Sequence, residues 1–136
     1  DNAQLDALPP AEAAARALVI PVDQYIRENA EAVYYVKILS QLAATNNSVT
    51  NPNASSRLSF RSVPQLAALM NEAMAHLSAQ ESRQRLFLVV SITFHGIADI
   101  CRAFDGDNAS SRKQRDAMLD QVAGAICALV SAPPRC

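Results

Sequence analysis

The chain has 136 residues, of which 50% are hydrophobic, 18% are charged and 5% are aromatic. This length fits one domain with a substantial core, and the composition favours a helical protein rich in alanine and leucine. The net charge of −1 gives no overall attraction to nucleic acid or to an anionic membrane. Because the chain has only 3 glycines, a glycine-rich phosphate loop is excluded as well.

Prolines mark the first predicted helix. Pro9-Pro10 is typical of a helix start, and the alanines that follow favour helix. Pro21 lies inside the predicted helix, and it predicts a kink or a break near Ile20.

An asparagine separates the first helix from the second. Asn29 is a suitable N-cap for a helix over residues 30–44, where apolar residues recur at helical spacing. The following residues, 45–61, are rich in asparagine and hydroxyl side chains. They are predicted to form a flexible loop.

Capping boxes predict where the three remaining helices begin. Ser-x-x-Gln or Ser-x-x-Glu patterns start at Ser62, Ser78 and Ser111. The helix after the first box is expected to end near Leu77. The next should run for about 27 residues until Gly106 terminates it. The last is expected to end before the final pair of prolines.

The apolar segment 85–100 lies inside the fourth predicted helix. A helix that is apolar on nearly all sides is buried on nearly all sides. One long helix in a chain of this size faces the core on one side only, so a second copy of the chain is the expected cover for the other side. We predict no membrane span, because polar residues interrupt the apolar run at Ser91, Thr93, His95 and Asp99.

The predicted fold is therefore all-α, a bundle of five to six helices in a single domain over residues 1–136, without a sheet. Three cysteines, Cys101, Cys127 and Cys136, include no CxxC pattern. They are predicted to be two buried thiols and one terminal thiol in a reducing compartment.

Catalytic chemistry has little support in the sequence. His76 and His95 lie on different predicted helices without a nucleophile or carboxylate at a recognisable spacing. The alternative, a metal or catalytic histidine, rests on Asp99, one helical turn after His95, but two groups do not make a site. We predict no enzyme activity, no cofactor and no metal.

Several adaptable side chains recur on successive helices, and methionine and tyrosine suit the wall of an apolar cavity. Ordinary core filling is the alternative interpretation for each of them. The predicted ligand pocket is lined by Tyr25, Tyr34 or Tyr35, Met70, Met74 and Phe94, with His95 as a polar anchor.

A stripe of small or short residues on the last helix predicts close contact with another helix. Glycine inside a helix costs about 1 kcal/mol relative to alanine, and close packing compensates for that cost. The stripe on the last helix consists of Ala117, Gln121, Gly124 and Ala128, and its expected partner on the preceding helix consists of Leu88, Ser91, His95 and Ala98.

Two phrases near the C-terminus, RLFLVVSITFHGIADICRAF and MLDQVAGAICALVSAPP, resemble the last two helices of TetR-type transcriptional regulators. Upstream, LDALPP, RALVIPVDQYI and YYVKILSQLAA resemble the preceding part of such C-terminal domains. The resemblance implies a cytoplasmic effector-binding and dimerisation domain that takes a small apolar effector. It also implies that the last two helices pair with their copies as a four-helix bundle. DNA would be bound only through an N-terminal helix-turn-helix domain that this sequence does not contain. The resemblance further implies that residues 1–9 are the end of the helix that connects to that domain, or a linker.

The alternative is a stand-alone helical module that binds a protein or lipid partner. Such a module would be expected to have paired cysteines. The basic residues Arg112, Lys113 and Arg115 are predicted to be a solvated first turn of the last helix and not a nucleic-acid patch.

Overall fold

A computed structural model describes residues 8–29, 31, 34, 63–104 and 108–135. These ranges contain four helices and no strand: α1 Pro10–Glu28, α2 Val63–Ala73, α3 Ala79–Ala103 and α4 Ala109–Ser131. The all-α prediction is confirmed for this part of the chain. Apart from residues 31 and 34, the second predicted helix lies outside the described residues, as do the loop at 45–61, Ser62 of the first box and the breaker at Gly106.

Helix α1 begins at Pro10, as predicted. Of the kink or break predicted near Ile20, the break does not occur. The helix continues through Pro21 to Glu28. Proline removes one hydrogen bond to the carbonyl four residues earlier and crowds that turn. The helix persists because its inward side is buried on both sides of the proline, at Val19 and at Ile26.

The predicted start of α3 is confirmed in atomic detail. The Ser78 hydroxyl accepts a hydrogen bond from the Glu81 backbone N–H at 3.2 Å, and the Glu81 carboxylate accepts one from the Ser78 N–H at 3.4 Å. This reciprocal pair satisfies two of the N–H groups that every helix start leaves without partners.

The predicted start of α4 is wrong by three residues. The helix begins at Ala109, and Asn108 rather than Ser111 is its N-cap. The side-chain oxygen of Asn108 accepts a hydrogen bond from the Ser111 backbone N–H at 2.8 Å. Asparagine caps a helix as well as serine does, so the earlier residue fixes the boundary and Ser111 becomes part of the first turn.

Helices α1 and α4 make most of the packing contacts between them. Helix α4 packs against both α1 and α3, while α2 packs mainly against α1. Five side chains on α3 and α4 are completely enclosed: Val89, Thr93, Ile97, Ile126 and Val130. Each buried aliphatic side chain stabilises the fold by roughly 1.5–3 kcal/mol. This packing fixes which sides of α3 and α4 face outward.

Helix α3 is long and apolar enough to cross a membrane, judged by length and composition within the described residues. The sequence interpretation, which excluded a span from its polar interruptions, did not anticipate this. A core helix of a soluble protein meets the same criterion. In the most apolar window of α3, 33% of the residues are buried, and Leu88, His95 and Asp99 are among those that are exposed.

Candidate functional site

The described residues of the predicted pocket differ in their exposure. Met70 and Met74 are each 4% exposed and belong to the core, and Phe94 packs against that core. Tyr25 and Tyr34 are instead 47% and 72% exposed. The methionines belong to the core and Phe94 packs against it, and the pocket stays a prediction. Tyr35 lies outside the described residues.

The two histidines have different surroundings. His76 Nε2 lies 2.9 Å from the carbonyl oxygen of Ala132, just beyond the end of α4, so this ring helps to hold the C-terminal end of that helix. His95 is exposed on α3, and Asp99, one turn further on, forms an ion pair with Arg102. Within the described ranges, no three His, Cys, Asp or Glu side chains are grouped as metal ligands would be.

The outward side of α4 carries the predicted small-residue stripe. Ala117, Gln121, Gly124 and Ala128 are all exposed. A Cβ added at Gly124 would meet nothing within 4 Å. Packing within the described chain therefore gives no reason for a glycine at this position. We call these four residues the α4 stripe.

The matching residues of α3 are exposed in part. Leu88 is 46% exposed, His95 is exposed and Ser91 is half-buried. Ala98 is only 2% exposed, so its predicted place on the contact surface is wrong. It follows the fully buried Ile97 and turns with it toward the core, where it is unavailable to a partner.

An open groove of about 380 Å³ separates α1 from α4. Sequence reasoning did not predict it, because its two walls are about 100 residues apart in the chain. Aliphatic side chains and charged side chains both contribute to its lining: Arg16, Val19, Ile20, Asp23, Gln24, Arg27, Leu119, Asp120 and Ala123.

A buried carboxylate joins the two walls of this groove. Asp23, whose side chain is 12% exposed, accepts hydrogen bonds at 2.7 Å from Arg115 of α4 and from Arg27 of α1. Arg27 also donates to Asp116 at 2.5 Å. The hydrogen bond to Asp116 and the charge of Asp23 raise the pKa of Arg27, against the opposing effect of burial.

The prediction that Arg112, Lys113 and Arg115 form one solvated turn is therefore only partly right. Arg112 and Lys113 are exposed, but the Arg115 side chain is 16% exposed and pairs with Asp23. Arg115 lies one turn before the buried Leu119 on the inward side of α4. The sequence gives no local signal for this pair, because 92 residues separate its two members.

A second buried arginine, Arg85, holds the end of α4. It is 9% exposed and donates hydrogen bonds to the carbonyl oxygens of Leu129, Ala132 and Pro133 at 2.9, 2.5 and 2.6 Å. The last carbonyls of a helix have no partners within the helix. A guanidinium donates to several of these carbonyls at once, and its positive charge interacts favourably with the negative end of the helix dipole.

Glu81 adds a further contact at the same end. Its carboxylate accepts a hydrogen bond from the Arg135 backbone N–H at 2.9 Å, as well as those from Ser78. The bond from Arg135, followed by that from the Ser78 side chain, lowers the pKa of Glu81 below its ordinary value of 4.5. The start of α3 and the end of α4 are thus fastened together.

No family model matches the chain, and neither a curated protein nor a solved structure is significantly similar to it.

Proposed function

We propose that this chain is the effector-binding and dimerisation domain of a TetR-type transcriptional regulator. A small molecule bound to it would change how a preceding helix-turn-helix domain binds DNA. The all-helical fold and the uncovered outward side of α4 support this proposal. The observation that carries it is Gly124, a glycine inside a helix that no neighbouring group of the described chain approaches closely enough to require a glycine.

The spacing of the α4 stripe is symmetric, and this symmetry favours a second copy as its cover. Its members follow one another at intervals of four, three and four residues. If two α4 helices pair antiparallel about a two-fold axis, Ala117 lies opposite Ala128 and Gln121 lies opposite Gly124. The long glutamine side chain then fills the space that the partner's glycine leaves. A two-fold interface requires such a self-complementary surface.

The C-terminal half of α4 also lacks the charges that would oppose a contact between two copies. From Gln121 to Ser131, α4 contains no ionisable acidic or basic side chain, so two copies bring no like charges together there. Leu88 of α3 adds a large exposed apolar side chain. With α3 beside α4, two copies would form a four-helix bundle, whose helices pack nearly antiparallel around apolar seams.

Sedimentation at micromolar concentration tests this contact. The wild type is expected to be a dimer, and Gly124→Leu is expected to dissociate it, because a leucine overfills a seam built around a glycine. Ala68→Leu, which places the same side chain on the exposed surface of α2, is the matched control and should remain dimeric. A monomeric wild type, or equal behaviour of the two variants, would contradict the proposed interface.

The regulator itself is tested by the coding sequence upstream of residue 1. About sixty further residues containing a helix-turn-helix would support the proposal. A stand-alone interaction module would lack them, and its outward face would bind another protein or a lipid surface. Binding of the isolated chain to neutral lipid vesicles, with no self-association, would favour that rival.

A further inference from the structure

We propose that the groove between α1 and α4 binds a small amphipathic cation, an ammonium-type compound with an apolar body. Because this assigns the effector of the proposed regulator, it rests on the proposed function. Ligand binding in the groove and association through the α4 stripe are nevertheless measured separately. Each can fail without the other.

The apolar part of the groove suits an alkyl chain or a ring. Val19 and Leu119 are buried beneath it, and Ile20 is 43% exposed at its edge. Arg16 and Asp23 both line it, seven residues apart on α1, which corresponds to roughly 10 Å along a helix. An extended chain of about eight carbons has a similar length, so it could replace water over this surface.

The charges around the groove favour a cation. Three guanidinium groups and four carboxylates lie in or beside it, which leaves one net negative charge: Arg16, Arg27 and Arg115 against Glu12, Asp23, Asp116 and Asp120. Both arginines of the lining are already engaged by two carboxylates each. A carboxylate ligand would therefore have to compete with carboxylates that already pair with these two arginines.

Asp120 is the carboxylate best placed to receive the cation. Its side chain is 73% exposed, and its contact with Arg16 is long, at 4.0 Å. Arg16 is already bound at 3.1 Å by Glu12, so Asp120 can turn toward a ligand at little cost. Asp23, by contrast, is held by two guanidinium groups and is almost fully buried. The cationic head should therefore lie at the Asp120 end, with the apolar body over Val19 and Leu119.

Octylammonium and octanoate form a matched pair of probes, because they have the same alkyl chain and opposite charges. Each is titrated into the full chain up to about 10 mM while the methyl resonances are followed by NMR. Octylammonium is expected to shift the methyl signals of Val19, Ile20 and Leu119, and octanoate is expected to bind at least about fivefold more weakly. Equal binding of the two, or shifts confined to other methyl groups, would overturn the proposal.

Charge reversal at Asp120 tests the position of the cation. Asp120→Lys should weaken octylammonium by about fivefold or more and improve octanoate. Asp99→Lys makes the same change on the exposed side of α3 and should leave both affinities within about twofold, which controls for net charge. If Asp120→Lys does not fold, Asp120→Asn must still weaken octylammonium. Unchanged octylammonium binding in a folded Asp120 variant refutes the site. This result does not depend on whether sedimentation shows a dimer.

Discussion

The buried carboxylate of Asp23 leads to a sharp prediction about stability. Asp23→Asn removes the charge that lies between Arg115 of α4 and Arg27 of α1, both at 2.7 Å. Arg27 keeps Asp116 as a partner, but the largely buried Arg115 is left without an opposite charge. The damage should therefore fall on the contact between α1 and α4.

The expected magnitude follows from the burial of this pair. Breaking a buried ion pair by removing one partner costs about 3–5 kcal/mol. Asparagine keeps an oxygen that can accept one hydrogen bond, so the lower end, about 3 kcal/mol, applies here. A domain of this size is stable by about 5–15 kcal/mol in total. With a urea dependence of about 2 kcal/mol per molar, the unfolding midpoint should fall by about 1.5 M.

Urea unfolding followed by circular dichroism measures this loss. The matched control is Asp116→Asn, which removes the more exposed partner of Arg27 and should cost less than about 1 kcal/mol. Adding Arg115→Met to Asp23→Asn should recover part of the stability, because the charge left behind is then removed as well. The reasoning is refuted if Asp23→Asn and Asp116→Asn unfold at the same urea concentration.

Three further predictions concern the ends and the outer side of the helices. Arg85→Met leaves the carbonyls of Leu129 and Pro133 without their guanidinium donor, while the Ala132 carbonyl keeps the His76 ring as a partner. This change should cost about 3 kcal/mol in urea unfolding, whereas the exposed Arg83→Met should cost almost nothing. Because the pKa of Glu81 is lowered in the folded state, its carboxylate stabilises the fold above pH 4.5, and this effect is lost as the pH falls through the folded-state pKa. Glu81→Gln can still form the capping box but does not titrate. Melting curves between pH 6 and pH 3 should therefore depend less on pH in this variant. Gly124→Ala should lower the melting temperature, because the proposed dimer seam needs the glycine. If α4 were solvated on that side, the same change would instead raise the melting temperature by about 3 °C.

The elements that the sequence predicted correctly depend on local contacts. The capping box at Ser78 and the proline start at Pro10 involve groups within a few residues of each other. Competition between neighbouring signals caused the error at α4, where Asn108 and Ser111 both suit an N-cap. Helix α1 continues through Pro21 because burial of the whole helix outweighs the cost of one proline, and that burial depends on residues far away in the sequence.

The candidate sites depend on long-range contacts, which explains why fewer of them were predicted. Two of these contacts join residues at least 44 positions apart: the ion pair between Asp23 and Arg115, and the hydrogen bonds from Arg85 to the end of α4. The α4 stripe was found because helical periodicity alone places Ala117, Gly124 and their neighbours on one side. Ala98 was misplaced because periodicity cannot tell how far the core extends around a helix.

The pairing of two α4 helices is tested most directly by the distance between two spin labels. A label is attached to Gln114→Cys, at an exposed position near the start of α4, after the native cysteines have been replaced by alanine. If the α4 stripes pair antiparallel as proposed, residue 114 lies opposite residue 131 of the partner, and the two labelled positions are separated by about 25 Å along the helix axis. A parallel pairing would bring them side by side, roughly 10 Å apart. Pulsed electron paramagnetic resonance should give the longer distance; the shorter one, or the absence of any dipolar coupling at micromolar concentration, would contradict the proposed dimer.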